Sequence, residues 1–222
     1  MTRYVLNTLK AGQIAVDIGA NVGYFSVLFG MLVGPLGKVI AYEANPKLVE
    51  YLNDSLSINY LHDRTIVCNK AVYSAERTIP FYANEKFKGN ASVNKHNADY
   101  FQHDKEEVHS VDVPAERLDL HYDALPQIDL LKMDIEGGEY HAFLGMQQYL
   151  ERRTVGTVVF ELNSAALQND LEPFHELLHK YEQEKGYCFY LLNSEGQLVP
   201  FPFEEIRKGS GYPYVIMKPI SP

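Results

Sequence analysis

The sequence predicts a doubly wound α/β domain: a mainly parallel sheet of seven strands with an antiparallel edge hairpin, and helices on both faces. Three observations predict it. Short β-branched runs alternate along the chain with longer stretches of helical period. Most of these runs are apolar almost throughout, as strands covered on both sides must be. The chain has 222 residues, 46% of them hydrophobic and 12% aromatic, which suffices for one substantial core. A single domain spanning 1–222 is therefore expected.

The elements follow in order. IAVDI at 14–18 is the first strand, and the following YFSVLFGMLV, apolar on nearly every side, is a helix expected to lie buried against the sheet. KVIAYE at 38–43 is the second strand. Asn45 and Pro46 then open a helix, because proline fits a first turn. TIVCNKAV at 65–72 is the third strand. The stretch from Glu85 to Ser110 is polar without a clean period and reads as a long loop or lid, a length that usually carries function or disorder. IDLLKMD, GTVVFEL and YCFYLL supply further strands, with LEPFHELLHKYEQEKG a helix between the last two. The segment QLVPFPFEEIRKGSGYPYVIMKP has apolar ends around a Gly-containing turn and is expected to close the sheet with an antiparallel edge strand.

Charge and cysteine content bound the partners. A formal charge of −9, with no Lys/Arg cluster, argues against a sequence-independent grip on nucleic acid, which comes from neutralising phosphates. MTRYVLNTLKAG lacks the apolar core of a secretory signal, and the run from Gly23 to Gly34 is too short to span a bilayer. A soluble cytoplasmic chain without a membrane partner is expected. Cys68 and Cys188 sit in apolar strand-like segments, so buried free thiols are expected rather than a disulfide.

The chemistry concentrates at strand ends. In a doubly wound sheet, ligands bind outside the carboxyl ends of the strands where the strand order reverses. There the first strand runs into DIGANVGYF, in which Gly19 and Gly23 permit a sharp turn and close approach, and the helix start offers N–H groups to an anionic group such as a carboxylate. Asp17 can accept loop N–H bonds or pair with an ammonium. Glu43 ends the second strand, where a carboxylate can hold both hydroxyls of a ribose. A dinucleotide site wants G-x-G-x-x-G, but Asn21 and Tyr24 break that spacing and a diphosphate would fit poorly.

The spelling D-x-G-x-N-x-G instead resembles the first motif of Rossmann-like class I S-adenosylmethionine-dependent methyltransferases. DIGANVGYFS, AYEANP, NKAVYS, GNASV, LLKMDIEGGEYHAFLGM and VVFELN follow in the order and style of the FkbM-type family, from about Lys10 to Asn163. The resemblance implies S-adenosyl-L-methionine as cofactor. It implies Asp17, Gly19, Asn21 and Gly23 around the methionine end and Glu43 on the ribose. Asn69 or Ala71 would lie at the adenine, and Ser92 would close over the cofactor.

LLKMDIEGGEYH brings Asp134, Glu136, Glu139 and His141 to one strand mouth. Such crowding survives where a cation, a proton or a hydrogen-bonding substrate offsets it. Methyl transfer to oxygen needs a base for the acceptor's proton, so Asp134 and Glu136 are the expected catalytic groups, with His141 as a further candidate base. Glu139 and His141 also fit a solvated first helical turn. Asp134, Glu161 and Asn163 offer three oxygens, fewer than magnesium gathers, so magnesium is secondary and no metal residue is assigned.

A rival motif is HELLH at 175–179, which matches the H-E-x-x-H of zinc peptidases. The apolar stripe of that helix is Phe174, Leu177, Leu178 and Tyr181, which leaves both histidines on its flank toward solvent, and no third ligand follows. The sequence thus points to an O-methyltransferase acting on a hydroxyl of a small molecule, sugar or natural-product intermediate. A non-catalytic S-adenosylmethionine-binding module is the alternative. Phe201, Phe203, Tyr212 and Tyr214 are expected either to build the acceptor pocket or to fill the core. The oligomeric state is not legible.

Overall fold

The computed structural model describes residues 1–84 and 108–220. A short helix α1 (Thr2–Thr8) precedes β1 (Ile14–Ile18), α2 (Tyr24–Val33), β2 (Lys38–Tyr42), α3 (Pro46–Ile58) and β3 (Thr65–Cys68). Three strands then follow: β4 (Ala71–Val72), β5 (Arg77–Asn84) and β6 (Val108–Glu116). The chain continues through β7 (Leu130–Met133), α4 (Glu139–Gly145), α5 (Gln147–Glu151), β8 (Val158–Asn163) and α6 (Ser164–Leu167). It ends with α7 (Leu171–Lys185), β9 (Tyr187–Leu192), β10 (Leu198–Pro200), α8 (Phe203–Ile206) and β11 (Gly211–Pro219).

The main sheet has eight strands in the order β10-β9-β11-β8-β7-β1-β2-β3. The five strands from β8 to β3 pair in parallel, whereas β11, β9 and β10 pair antiparallel. The order reverses at β1, whose carboxyl end therefore faces a crevice. Alternation along the strands sorts the core. Ala15, Val39, Leu130, Val159 and Ile216 pack toward α1 and α2, while Val16, Ile40, Leu131, Val158 and Val215 pack toward α4 and α7. Each fully buried aliphatic side chain of this kind contributes about 1.5–3 kcal/mol.

Several expectations need correction. The sheet has eight strands rather than seven, because QLVPFPFEEIRKGSGYPYVIMKP contributes two strands, β10 and β11. Strand β11 lies inside the sheet, between β8 and β9, and the edge hairpin is β9–β10. The run TIVCNKAV breaks at Asn69, and its second half starts a separate three-stranded sheet, β4-β6-β5. That sheet uses strict alternation, with Ile79 and Phe81 buried and Thr78 and Pro80 exposed. Its β6 includes residues 108–110, assigned above to the polar loop; the rest of that loop, with Ser92, lies outside the described residues. Helix α2 is not buried all round, since Tyr24 and Met31 are exposed. Cys68 and Cys188 are free but only half-buried. Among the described residues no helix is long and apolar enough to cross a membrane.

Candidate active site

The turn after β1 is held from both neighbouring strands. Gly19 has φ +76°, and a Cβ added to it would stand 2.0 Å from the Asp134 carbonyl oxygen. Contact with the backbone leaving β7 therefore requires glycine here. The turn's amides are used internally: Gly19 and Ala20 N–H donate to the Tyr42 carbonyl, at 3.0 and 2.9 Å. Asn21, at φ +53°, donates its N–H to Glu43 Oε2 at 2.7 Å, and its own Oδ1 accepts from Val22 N–H. Gly23 caps α2 at φ +96°, and its missing Cβ makes room for Leu52 of α3. It borders a groove between α2 and α3 and is not among the residues that line the crevice.

The crevice is an open cleft with about 590 Å³ of space, adjoining solvent included. One wall is apolar, from Tyr42, Leu48, Ala71, Val72 and Phe81. The lining also carries Gly19, Asn21, Asp134, Ile135 and Glu136, with Glu43 and Lys70. Glu43 is 5% exposed, and its Oε1 accepts the Asn45 N–H at 2.8 Å. Burial raises its pKa, against the opposing pull of the Asn45 and Asn21 amides and Lys132. A carboxylate has about four acceptor positions, so two remain for hydroxyl donors. Asn69 supports this residue from behind, donating Nδ2 to the Glu43 and Ala44 carbonyls. Lys70 Nζ lies 2.5 Å from Glu116 Oε2, and Glu116 Oε1 meets Tyr42 Oη and His121 Nε2 at 3.1 and 2.9 Å. This network ties the small sheet to the main one beside the cleft.

At the mouth of β7 the chain turns through Glu136 at φ +52° and Gly137 at φ +98°. Glu139 is not in a solvated turn: it is 1% exposed, and its two oxygens accept the Ile135 and Gly137 N–H groups at 3.1 and 2.9 Å. Burial pushes its pKa up to about 8. It shapes the acid loop from within. Ligand oxygens of Asp134, Glu136 and Glu161 lie within 4.8 Å of one another. Burial, then the charges of Glu136 and Asp134, push Glu161 up to about 7, so a proton on Glu161 can relieve the trio. Asn163 Oδ1 caps α6 by accepting from Ala165 and Ala166 N–H while its side chain also reaches Glu161, and Glu136 joins the oxygens read from the sequence.

His141 is directed elsewhere. Its Nδ1 is 3.0 Å from Ser74 Oγ, its Nε2 is 3.4 Å from Asp170, and its ring stacks on Tyr73. The cleft does not include it. Asp17 is fully buried beneath the turn, accepting from Ser26 Oγ at 2.7 Å and pairing with Lys132 Nζ at 3.2 Å. Of the sequence-predicted residues, the cleft brings together Gly19, Asn21, Glu43, Ala71, Asp134 and Glu136. Asp17, Gly23 and Asn69 sit behind or beside it.

Tyr42, Phe81, Lys70 and Lys132 were missed. The signal for Lys132 was available, a lysine inside the apolar run LLKMD, whereas Phe81 belongs to the unrecognised small sheet. Among the aromatics, Phe203 is core, and Phe201 packs on Tyr212. Tyr214 feels Asp134, Lys132 and Glu161, although burial is the main cause of its raised pKa. The HELLH histidines differ in burial, His175 being 4% exposed and His179 exposed, and both rings lie against Phe203.

The model of the methyltransferase FkbM domain matches residues 17–189, from the Asp17 strand end through β9. The chain belongs to the FkbM methyltransferase family. Membership implies S-adenosylmethionine as the methyl donor. A methyltransferase of Sordaria araneosa, sdnD, is 26% identical over 168 residues, covering 65% of this chain and 64% of the relative. A protein-L-isoaspartate O-methyltransferase of Caenorhabditis elegans is 45% identical over 47 residues, 21% of each chain. The FkbM chain thus spans less than two thirds of the length of either relative. A structure described as an rRNA-methylase of Clostridium thermocellum superposes with a TM-score of 0.55 at 13% identity, covering 99% of this chain and 93% of that one. An rRNA methylase of Streptococcus thermophilus gives 0.50 at 12%, covering 99% and 94%. At such identities the likeness speaks for the fold.

Proposed function

We propose that this FkbM-family protein transfers the methyl group of S-adenosylmethionine to a hydroxyl of a small molecule, sugar or natural-product intermediate. The observation that carries the reading is the placing of Asp134 and Glu136 on the same cleft as Glu43, at the ends of the two parallel strands that flank β1. When bound, the cofactor supplies an electrophilic methyl on a sulfonium. The residues present fit it. Glu43 keeps acceptor positions for ribose hydroxyls, the Tyr42, Val72 and Phe81 wall suits a flat base, and the acid wall suits the cationic end.

Asp134 and Glu136 would orient the acceptor and take its hydroxyl proton as the oxygen–carbon bond forms and the carbon–sulfur pair returns to sulfur. The net charge of −9 supports a small acceptor over nucleic acid. The O-methyl transfer for which the Caenorhabditis relative is named is consistent with this chemistry over the short stretch it shares.

The test is a mass-shift screen with S-adenosylmethionine against polyketides, glycosides and cell extract, looking for a gain of one methyl group. Asp134→Asn should cut turnover at least a hundredfold while changing cofactor affinity less than fivefold. The reverse pattern would move Asp134 from chemistry to binding. Tight cofactor binding with no methylated product in any pool would favour a non-catalytic binding module.

A further inference from the structure

Lys132 adds a side-chain link between the donor-side turn and the strand that leads into the acid loop, beside the backbone bond from Asp134 N–H to the Ile18 carbonyl. It lies on β7, two residues before Asp134, and shares the strand face of Leu130, directed toward α2. Its side chain is 6% exposed. Nζ donates to the Gly19 carbonyl at 2.8 Å, pairs with Asp17 Oδ1 at 3.2 Å, and stands 5.6 Å from the centre of the Phe25 ring. The other anchors of the turn, the Tyr42 carbonyl and Glu43, come from the β2 side. On the β7 side Gly19 lies against the Asp134 backbone and Ile135, and Lys132 supplies a hydrogen bond to its carbonyl.

The placement of a buried ammonium under a carbonyl has a specific consequence. A peptide whose oxygen is held downward and whose next N–H is held by Tyr42 cannot rotate, so the surface that Gly19 presents to the cleft is fixed. Asp17 neutralises the ammonium in place, and Ser26 fixes Asp17 in turn. Burial of the two charges is tolerated because each has a partner.

We propose that Lys132 is a positioning residue, which holds the Gly19 carbonyl so that the cofactor-side turn and the Asp134–Gly138 loop keep one alignment. This role rests on the methyltransferase reading. It assigns Asp17 the task of making Lys132 tolerable rather than that of touching the cofactor.

The experiment separates alignment from mere charge burial. Lys132→Met strands Asp17, so thermal stability and affinity should both fall. The double variant Asp17→Asn/Lys132→Met removes both charges with near-isosteric side chains. It should recover most of the lost melting temperature, yet bind S-adenosylhomocysteine, the probe used in calorimetry, at least tenfold more weakly than wild type, because Gly19 still lacks its donor. Recovery of affinity along with stability would overturn the proposal and leave Lys132 a structural residue only. An affinity within twofold of wild type in Lys132→Met would overturn it as well. If that single variant does not fold, the double variant alone decides. Failure of the wild-type chain to bind the probe or S-adenosylmethionine at all would instead remove the methyltransferase reading on which the role stands.

Discussion

At the scale of single residues, the site is built on carboxylates whose burial is matched to their partners. Glu43 joins the two turns by accepting one amide from each, Asn21 and Asn45. Hydrogen bonds to charged groups are worth about 1.5–3 kcal/mol each. Glu43→Ala should therefore weaken cofactor affinity at least tenfold by calorimetry, and an unchanged affinity would contradict its assignment to the ribose. Glu139 makes a different prediction. Its pKa rises from an ordinary 4.5 to about 8 in the folded chain, so the folded state holds the proton more tightly. Stability from this group is fully present below pH 4.5 and is lost as pH rises toward about 8. Glu161, at about 7, acts in the same direction over a narrower window. Melting temperature should fall across that range, and Glu139→Gln should flatten the fall while lowering the acid-side value, since an amide cannot accept from both the Ile135 and Gly137 N–H groups. A slope unchanged in the variant would show that Glu139 is ionised at neutral pH.

At the scale of elements, the parallel strands and the helices between them were legible because their side-chain periods are strong and local. IAVDI, KVIAY and VVFELN carry their burial in their own composition. What was illegible depends on distant partners. Nothing in YVIMKP says that this strand inserts between β8 and β9, since an antiparallel strand reads alike at an edge or inside. The β4-β6-β5 sheet was hidden because its strands are separated by the polar stretch that dominated the local reading, and with it went Phe81 of the cleft. The acids at the strand ends were legible by type and position. Their roles were not, because Asp17 and Glu139 differ from Asp134 and Glu136 in what lies above them rather than in sequence. Helix α7 gives the same lesson. The flank of the apolar stripe would be solvent on an isolated helix, but α8 packs against it and encloses His175, whose ring nitrogens have no hydrogen-bond partner. An unpartnered buried polar group costs about 1–3 kcal/mol. His175→Leu should accordingly leave the melting temperature equal or higher and cofactor binding intact, whereas a zinc-ligand role for HELLH demands loss of metal and activity.

At the scale of the whole molecule, one sheet presents a turn, the Glu43 carboxylate and an acid loop at adjacent strand ends, and the strand order that reverses at β1 opens the cleft between them. The acidic balance of the chain and the acid wall of the cleft act together: both favour a cationic donor, and neither favours a polyanionic acceptor. A ligand that binds only the folded chain stabilises it by about 2.7 kcal/mol at a hundred times its dissociation constant. The most direct measurement is therefore calorimetric titration of the purified chain with S-adenosylmethionine and with S-adenosylhomocysteine, paired with thermal denaturation. Saturable binding of both at one site per chain, with a matching rise in melting temperature, is the predicted result. No heat of binding and no thermal shift at millimolar ligand would contradict the account.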